Sequence, residues 1–200
     1  MTGPLCVLLA YLLGSIPFGL IIVRVMTGQD VRQSGSGNIG ATNVLRTTGR
    51  LAGVLTLVLD ALKGSLAVHI ADYLTHGSIQ WMSLAALAAL LGHAFSMFLK
   101  FQGGKAVATF IGAFAYLTPA PLLAVAILFV IVLARTRYLS LGSIIAAGLF
   151  PVACWMILHP DWPVLFVAVG AAALIIVRHK DNIERLRAGT ERVFHFKRTI

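Results

Sequence analysis

The sequence predicts an all-α integral membrane protein of about seven transmembrane helices, with the N-terminus outside and the C-terminus in the cytoplasm. Two features of composition and one of placement carry that prediction. Of the 200 residues 58% are apolar and only 12% charged, against roughly 45–50% and 25% in soluble domains, and the mean hydropathy is +0.90. A 21.4 kDa globule lacks the interior to hide so much hydrocarbon from water. The cations are sorted: fifteen of sixteen Lys and Arg residues fall on one side of the apolar segments. The net charge of +9 alone would suit nucleic acid, but a soluble binder does not carry this hydropathy, and no nucleic-acid partner is expected. Two cysteines, Cys6 and Cys154, make no disulfide scaffold, and the composition excludes disorder.

A span needs about 20 apolar residues. The first segment, 4–26, runs uncharged to Arg24 and lacks the basic leader of a signal peptide, so it is expected to stay uncleaved. The second, 51–74, carries Asp60 and Lys63 at i and i+3, read as a structural pair turned into the bundle. The third, 79–99, is rich in Ala and Leu. The fourth and fifth, 104–117 and 121–134, are short and meet at Thr118-Pro119-Ala120-Pro121, so five long spans with a re-entrant pair form an alternative. The sixth and seventh are 141–158 and 162–177. The connections at 73–78, 118–120 and 159–163 contain no Lys or Arg. By the positive-inside rule the connections 27–50, 100–105 and 135–143 lie in the cytoplasm with the tail 178–200, where seven cations and three acids alternate with Ile183, Leu186, Val193, Phe194 and Phe196. That tail reads as an interfacial amphipathic helix, with Arg185 and Arg187 toward lipid headgroups. No internal repeat or linker divides the chain, and 1–200 is expected to be one polytopic domain.

Three cytoplasmic stretches are richer in Gly, Ser and Asn than connectors need. The first, from Ser34 through Ser36, Gly37, Asn38, Gly40, Thr42 and Asn43 to Arg46, contains a G-x-G-x-x-G pattern without the preceding strand a dinucleotide fold requires. Its glycines still let backbone N–H groups converge on a phosphate, and Arg46 adds a guanidinium. The second leads from Gly92-His93 to Gly103-Gly104-Lys105 and is expected to set an ammonium beside open backbone N–H groups. His93 reads as a hydrogen-bonded packing residue. The third combines Ser143 with His179 and Asn182, the latter two on one helical face. Ser143 serves equally as N-cap or ligand, and Glu191 is expected to fix the tail by pairing with an arginine.

Metal ligands do not cluster, no Ser-His-Asp set can be argued, and the H-x-x-x-x-D box of acyl-CoA-dependent glycerolipid acyltransferases is absent. What remains is phosphate-binding equipment beside bilayer hydrocarbon. The stretches GSGNIGATNVLR (35–46), GHAFSMFLKFQGGKAVAT (92–109), RYLSLGSI (137–144) and RHKDNIERLRAGTE (178–191) resemble the motifs of the bacterial acyl-phosphate:glycerol-3-phosphate acyltransferases, the PlsY family. LGSIPFG (13–19) and DALKG (60–64) resemble that family too. One departure is Ala106, where the family usually has glycine. The methyl is expected to exclude a positive φ there.

The resemblance implies an enzyme of the bacterial cytoplasmic (inner) membrane with its site on the cytoplasmic face. It would move a fatty acyl group from acyl phosphate to the 1-hydroxyl of sn-glycerol 3-phosphate, giving lysophosphatidate and inorganic phosphate. No cofactor is expected, because the anhydride is already activated; orientation and charge stabilisation carry the reaction. The loop from Ser36 to Asn43 would cradle the acyl phosphate, while Arg46, Lys105, Ser143, His179 and Asn182 hold glycerol 3-phosphate. The attacking hydroxyl's proton has two acceptors, His179 and the leaving phosphate. A small transporter of an anionic metabolite is the competing class, although transporters usually show repeated halves. A scaffold collecting anionic lipid would need the cations but not the Gly/Asn loops. No helix displays an obvious dimer face, and a monomer is expected.

Overall fold

The computed structural model describes residues 2–194, and among them every regular element is helical. The chain divides into two compact units, Met1–Leu117 and Thr118–Ile200.

In the first unit α1 (Thr2–Ser15) and α2 (Phe18–Thr27) are separated at Ile16-Pro17, where proline cannot donate to the helix ladder. The two together make one apolar stretch of 26 residues. A short turn at Val31–Gln33 leads to α3 (Ala41–Thr47), then α4 (Arg50–Thr75) and α5 (Ile79–Ala94) follow. Helix α6 (Val107–Leu117) has only 11 residues. Helices α1 and α5 approach backbone to backbone: a Cβ on Gly14 would overlap the Ala89 carbonyl, and one on Gly92 the Tyr11 carbonyl. Small residues take the place of bulky knobs here, as is usual where lipid removes the hydrophobic drive between helices. The first connection is anchored by Val31, Ile39 and Val44, which pack with Leu20, Val23, Ala52 and Leu99.

The second unit holds α7 (Pro119–Thr136), α8 (Leu139–Leu158), α9 (Trp162–Arg178) and α10 (Lys180–Arg187). Helices α9 and α10 bend by 58° at His179.

The apolar segments expected from the sequence are all helical, and they differ in length. Among the described residues five stretches are long and apolar enough to cross, or six if α9 and α10 make one bent span. At about 1.5 Å per residue, α6 covers about half of a hydrocarbon core roughly 30 Å thick. The sequence reading of the tail changes. Helix α10 stops at Arg187, Gly189 turns the chain at φ +68°, and Phe194 N–H donates to Arg137 O at 2.8 Å. The part of the tail reading that falls on 195–200, including Phe196, lies outside the described residues.

Candidate active site

The first motif loop is built around one amide. Asn43, only 3% exposed, donates Nδ2–H to the carbonyls of Val31 (3.3 Å), Ser34 (3.0 Å) and Asn38 (2.9 Å). Its Oδ1 accepts from Ser36 N–H at 2.8 Å. Asn38 makes a smaller turn of its own, with Oδ1 accepting from Gly40 N–H at 2.8 Å. Gly35 (φ +63°) and Gly37 (φ +70°) take left-handed conformations that bring the strand of loop back on itself. A Cβ on Gly35 would also collide with Asn43 Oδ1. Asn43 therefore shapes the loop, while Ser36, Gly37 and Thr42 lie exposed on it and Arg46 lies half-buried one helical turn beyond Thr42. Nearby, Arg24 and Arg32 both engage Asp30. The hydrogen bond from the Arg32 side chain does most to hold that carboxyl down at about 2.

The second motif differs from expectation in two ways. The N–H groups of Gly103 and Gly104 are not open: they donate to Ala94 O at 3.1 Å and His93 O at 3.0 Å. The glycines are needed because the turn lies directly on His93. A Cβ at 103 would overlap the His93 carbonyl, and one at 104 would overlap the imidazole. Ala106 does adopt a positive φ, +59°, contrary to the sequence expectation. The left-handed conformation costs a non-glycine residue about 1–2 kcal/mol. Complete burial of its methyl, worth about 0.8 kcal/mol, and a 2.8 Å bond from Phe110 N–H to its carbonyl offset that cost. Lys100 and Phe101 are left-handed too, so three non-glycine residues crowd this turn around Lys105.

Asp60 and Lys63 form the expected pair, 2.7 Å apart and nearly inaccessible. Lys63 Nζ also donates to Ile16 O at 2.8 Å, so the pair ties α4 to the break between α1 and α2. His93 Nδ1 lies 3.6 Å from Asp60 Oδ1 and 3.2 Å from Thr109 Oγ1. Sequence reasoning missed that link, for nothing local joins positions 60 and 93.

In the second unit His179 is 3% exposed at the α9–α10 bend. Its Nδ1 is 2.7 Å from Ile175 O. A carbonyl only accepts, so Nδ1 carries the proton and the neutral ring's basic nitrogen is Nε2. The His179 carbonyl accepts from Asn182 N–H and Ile183 N–H, both at 2.9 Å, which starts α10 and puts the two motif residues on one turn. Glu191 folds back onto this turn. Its Oε1 accepts from Ser140 Oγ at 2.8 Å and Asn182 Nδ2 at 2.7 Å, and its Oε2 from Arg185 Nε at 2.8 Å. The expected pairing with an arginine is thus present. Arg185, read as a headgroup cation, is instead the arginine that supplies it. Ser143 is not an N-cap: α8 begins at Leu139, and the Ser143 hydroxyl donates back to Leu139 O at 2.9 Å.

Burial pushes the Glu191 carboxyl up, but hydrogen bonds from Asn182, Ser140 and Arg185 outweigh it and hold the group below its ordinary 4.5. An acid lowered in the folded state stabilises it above the unfolded value, and that stability is lost as pH falls through the folded value. Thermal unfolding in detergent should therefore show the parent losing stability below about pH 4.5. Glu191→Gln, less stable at neutral pH, should lose the Glu191 share of this dependence, and equal acid sensitivity in both would refute it.

The motif residues divide between the units: Ser36 to Arg46 and Gly103 to Lys105 lie in the first, and Ser143, His179, Asn182 and Glu191 in the second. Residues 4–189 match the glycerol-3-phosphate acyltransferase family. The glycerol-3-phosphate acyltransferase of Geotalea daltonii is 48% identical over 185 residues, 92% of this chain and 94% of that protein. That of Trichlorobacter lovleyi is 49% identical over 186 residues, again 92% and 94%. Two crystal structures of PlsY (YgiH), an integral membrane glycerol 3-phosphate acyltransferase, share the fold. The glycerol 3-phosphate form has a TM-score of 0.91 at 39% identity and the lysophosphatidic acid form 0.88 at 37%, each over 98% of this chain and 96% of that one. The chain belongs to the PlsY family of integral membrane glycerol-3-phosphate acyltransferases.

Proposed function

We propose that this acyltransferase takes its acyl group from acyl phosphate, at the cytoplasmic face of a bacterial inner membrane, as a monomer and without a cofactor. The 1-hydroxyl of sn-glycerol 3-phosphate attacks the acyl carbonyl carbon. A new ester C–O bond forms, the bond from that carbon to the phosphate oxygen breaks, and inorganic phosphate leaves with its electron pair. The hydroxyl proton goes to His179 Nε2. Lysophosphatidate is the product, as the bound forms of PlsY support.

The loop of Ser36, Gly37, Asn38, Gly40 and Thr42, held in shape by Asn43, cradles the acyl phosphate. By the resemblance of their motifs to the family's, Arg46 and Lys105 in the first unit, and Ser143, His179 and Asn182 in the second, are assigned to glycerol 3-phosphate, Ser143 once its hydroxyl turns from Leu139 O. Gly103 and Gly104 serve by carrying Lys105, and Asp60, Lys63 and Glu191 hold the framework. Two phosphates repel each other, and the cations of both motif sets offset that repulsion.

The observation that carries the reading is the tautomer of His179: a buried imidazole committed through Nδ1 to Ile175 O keeps Nε2 as its base. The test begins with purified protein, glycerol 3-phosphate and, in parallel, acyl phosphate, acyl-CoA and acyl-carrier-protein donors. Phosphate release with lysophosphatidate is expected from acyl phosphate alone. His179→Ala should then lower kcat by about 10²-fold, the lower end for a general base, and remove the acidic limb of the pH–rate profile. Lys105→Met should raise KM for glycerol 3-phosphate, since a bond to a charged partner is worth about 1.5–3 kcal/mol. An unchanged acidic limb in His179→Ala assigns the proton to the departing phosphate instead.

A further inference from the structure

One buried constellation has no direct part in these roles. His93, at the end of α5, meets the turn at 103–105 with both its backbone and its ring. Its carbonyl takes the Gly104 N–H, and its Nε2 edge lies so close to Gly104 that a Cβ there would overlap it. The opposite edge, at Nδ1, faces Thr109 Oγ1 at 3.2 Å and Asp60 Oδ1 at 3.6 Å. Asp60 pairs with Lys63 at 2.7 Å, and Lys63 reaches Ile16 O at 2.8 Å. Polar contacts thus run from the α1–α2 break, through α4 and α5, to the turn that carries Lys105. Space-filling alone does not account for them. An apolar side chain would fill the position without the desolvation that buried polar groups entail. Asp60 Oδ1 is buried with ion contacts but no well-formed hydrogen bond, a cost that packing does not require.

We propose that His93, braced by Thr109 and by the Asp60–Lys63 pair, is a positioning residue that sets the course of Gly103-Gly104-Lys105 and so the place of the Lys105 ammonium. This rests on the reading of Lys105 as a ligand of the glycerol 3-phosphate phosphate group. His93 touches no substrate in this scheme; it acts through the backbone it seats. A misplacement of about 1 Å can cost up to about 10²-fold in rate.

The test uses full-length protein in detergent, with thermal unfolding and with kcat and KM for each substrate. Thr109→Val removes the hydroxyl that steadies Nδ1. His93→Asn keeps an amide donor near Nδ1 but removes the edge against Gly104. Both should stay folded and raise KM for glycerol 3-phosphate about 10-fold, leaving KM for acyl phosphate at the parent value. Unchanged KM values in folded variants overturn the inference, as does a loss of rate that merely follows the folded fraction. Should one variant fail to fold, the other decides. Lys105→Met separates the two claims. If it leaves KM for glycerol 3-phosphate unchanged, the reading of Lys105 fails and the inference with it. If it raises KM while Thr109→Val and His93→Asn do not, the inference alone fails.

Discussion

Asn43→Asp is expected to unfold the 34–43 loop and abolish acyl transfer, and Asn43→Ala to do nearly as much. The native amide has two hydrogens for three carbonyls, those of Val31, Ser34 and Asn38, and one oxygen for the Ser36 N–H. Alanine strands all four backbone groups. At about 1 kcal/mol or more for each, the loss is roughly 4 kcal/mol, with water entering from the exposed side of the loop. Aspartate keeps the acceptor for Ser36 but aims a second oxygen at three carbonyl oxygens. The anion is disfavoured there, so its folded pKa must rise above the unfolded one. An acid raised on folding destabilises at neutral pH, and the penalty shrinks as pH falls. Asn43→Asp should therefore gain thermal stability on acidification toward about pH 4, opposite in sign to the Glu191 effect. Unfolding curves across pH and phosphate release at pH 7 check both statements. An Asn43→Asp protein as stable and active as the parent at pH 7 would falsify the role given to this amide.

Apolar run length and charge placement were enough to read a helical membrane protein, because a bilayer admits few alternatives to helices. The residues proposed for the chemistry stood out by their placement: Arg46, Lys105, His179 and Asn182 are polar where lipid or connector would not need them. What could not be read was how far each polar group is spent inside the protein. Asn43 looked like a ligand and is the loop's brace. Gly103 and Gly104 looked like open donors, yet both N–H groups are taken by carbonyls of α5. Ala106 violates a local rule, since its φ of +59° is set by the turn over His93 and not by its own preference. Helix α6 is short because the first residues of its apolar segment, 104–106, are used for that turn. These are contacts between positions far apart in the chain, such as 60 with 93, and a helix apolar nearly all round does not announce which face meets which neighbour.

Lys63→Met is expected to destabilise the protein by about 3–5 kcal/mol, and a second change, Asp60→Asn, to return most of that loss. Breaking a buried ion pair on one side leaves an uncompensated charge in a low-dielectric interior. Here the carboxylate would keep only the imidazole at 3.6 Å, and Ile16 O would lose its 2.8 Å donor beside the helix break. Asn is close to Asp in size and uncharged, so the double variant removes the stranded anion while filling the same space. The two changes must then be strongly non-additive, with a coupling of about 2–3 kcal/mol in a double-mutant cycle of thermal unfolding. Additive losses would show that Asp60 and Lys63 do not stabilise the fold as a pair. Activity should not follow stability back. In the double variant the imidazole of His93 faces a neutral amide in place of an anion, and its hold on the Gly103-Gly104-Lys105 turn is weakened. A stable double variant with KM for glycerol 3-phosphate still raised separates the two duties of the cluster, one of holding helices together and one of aiming a lysine.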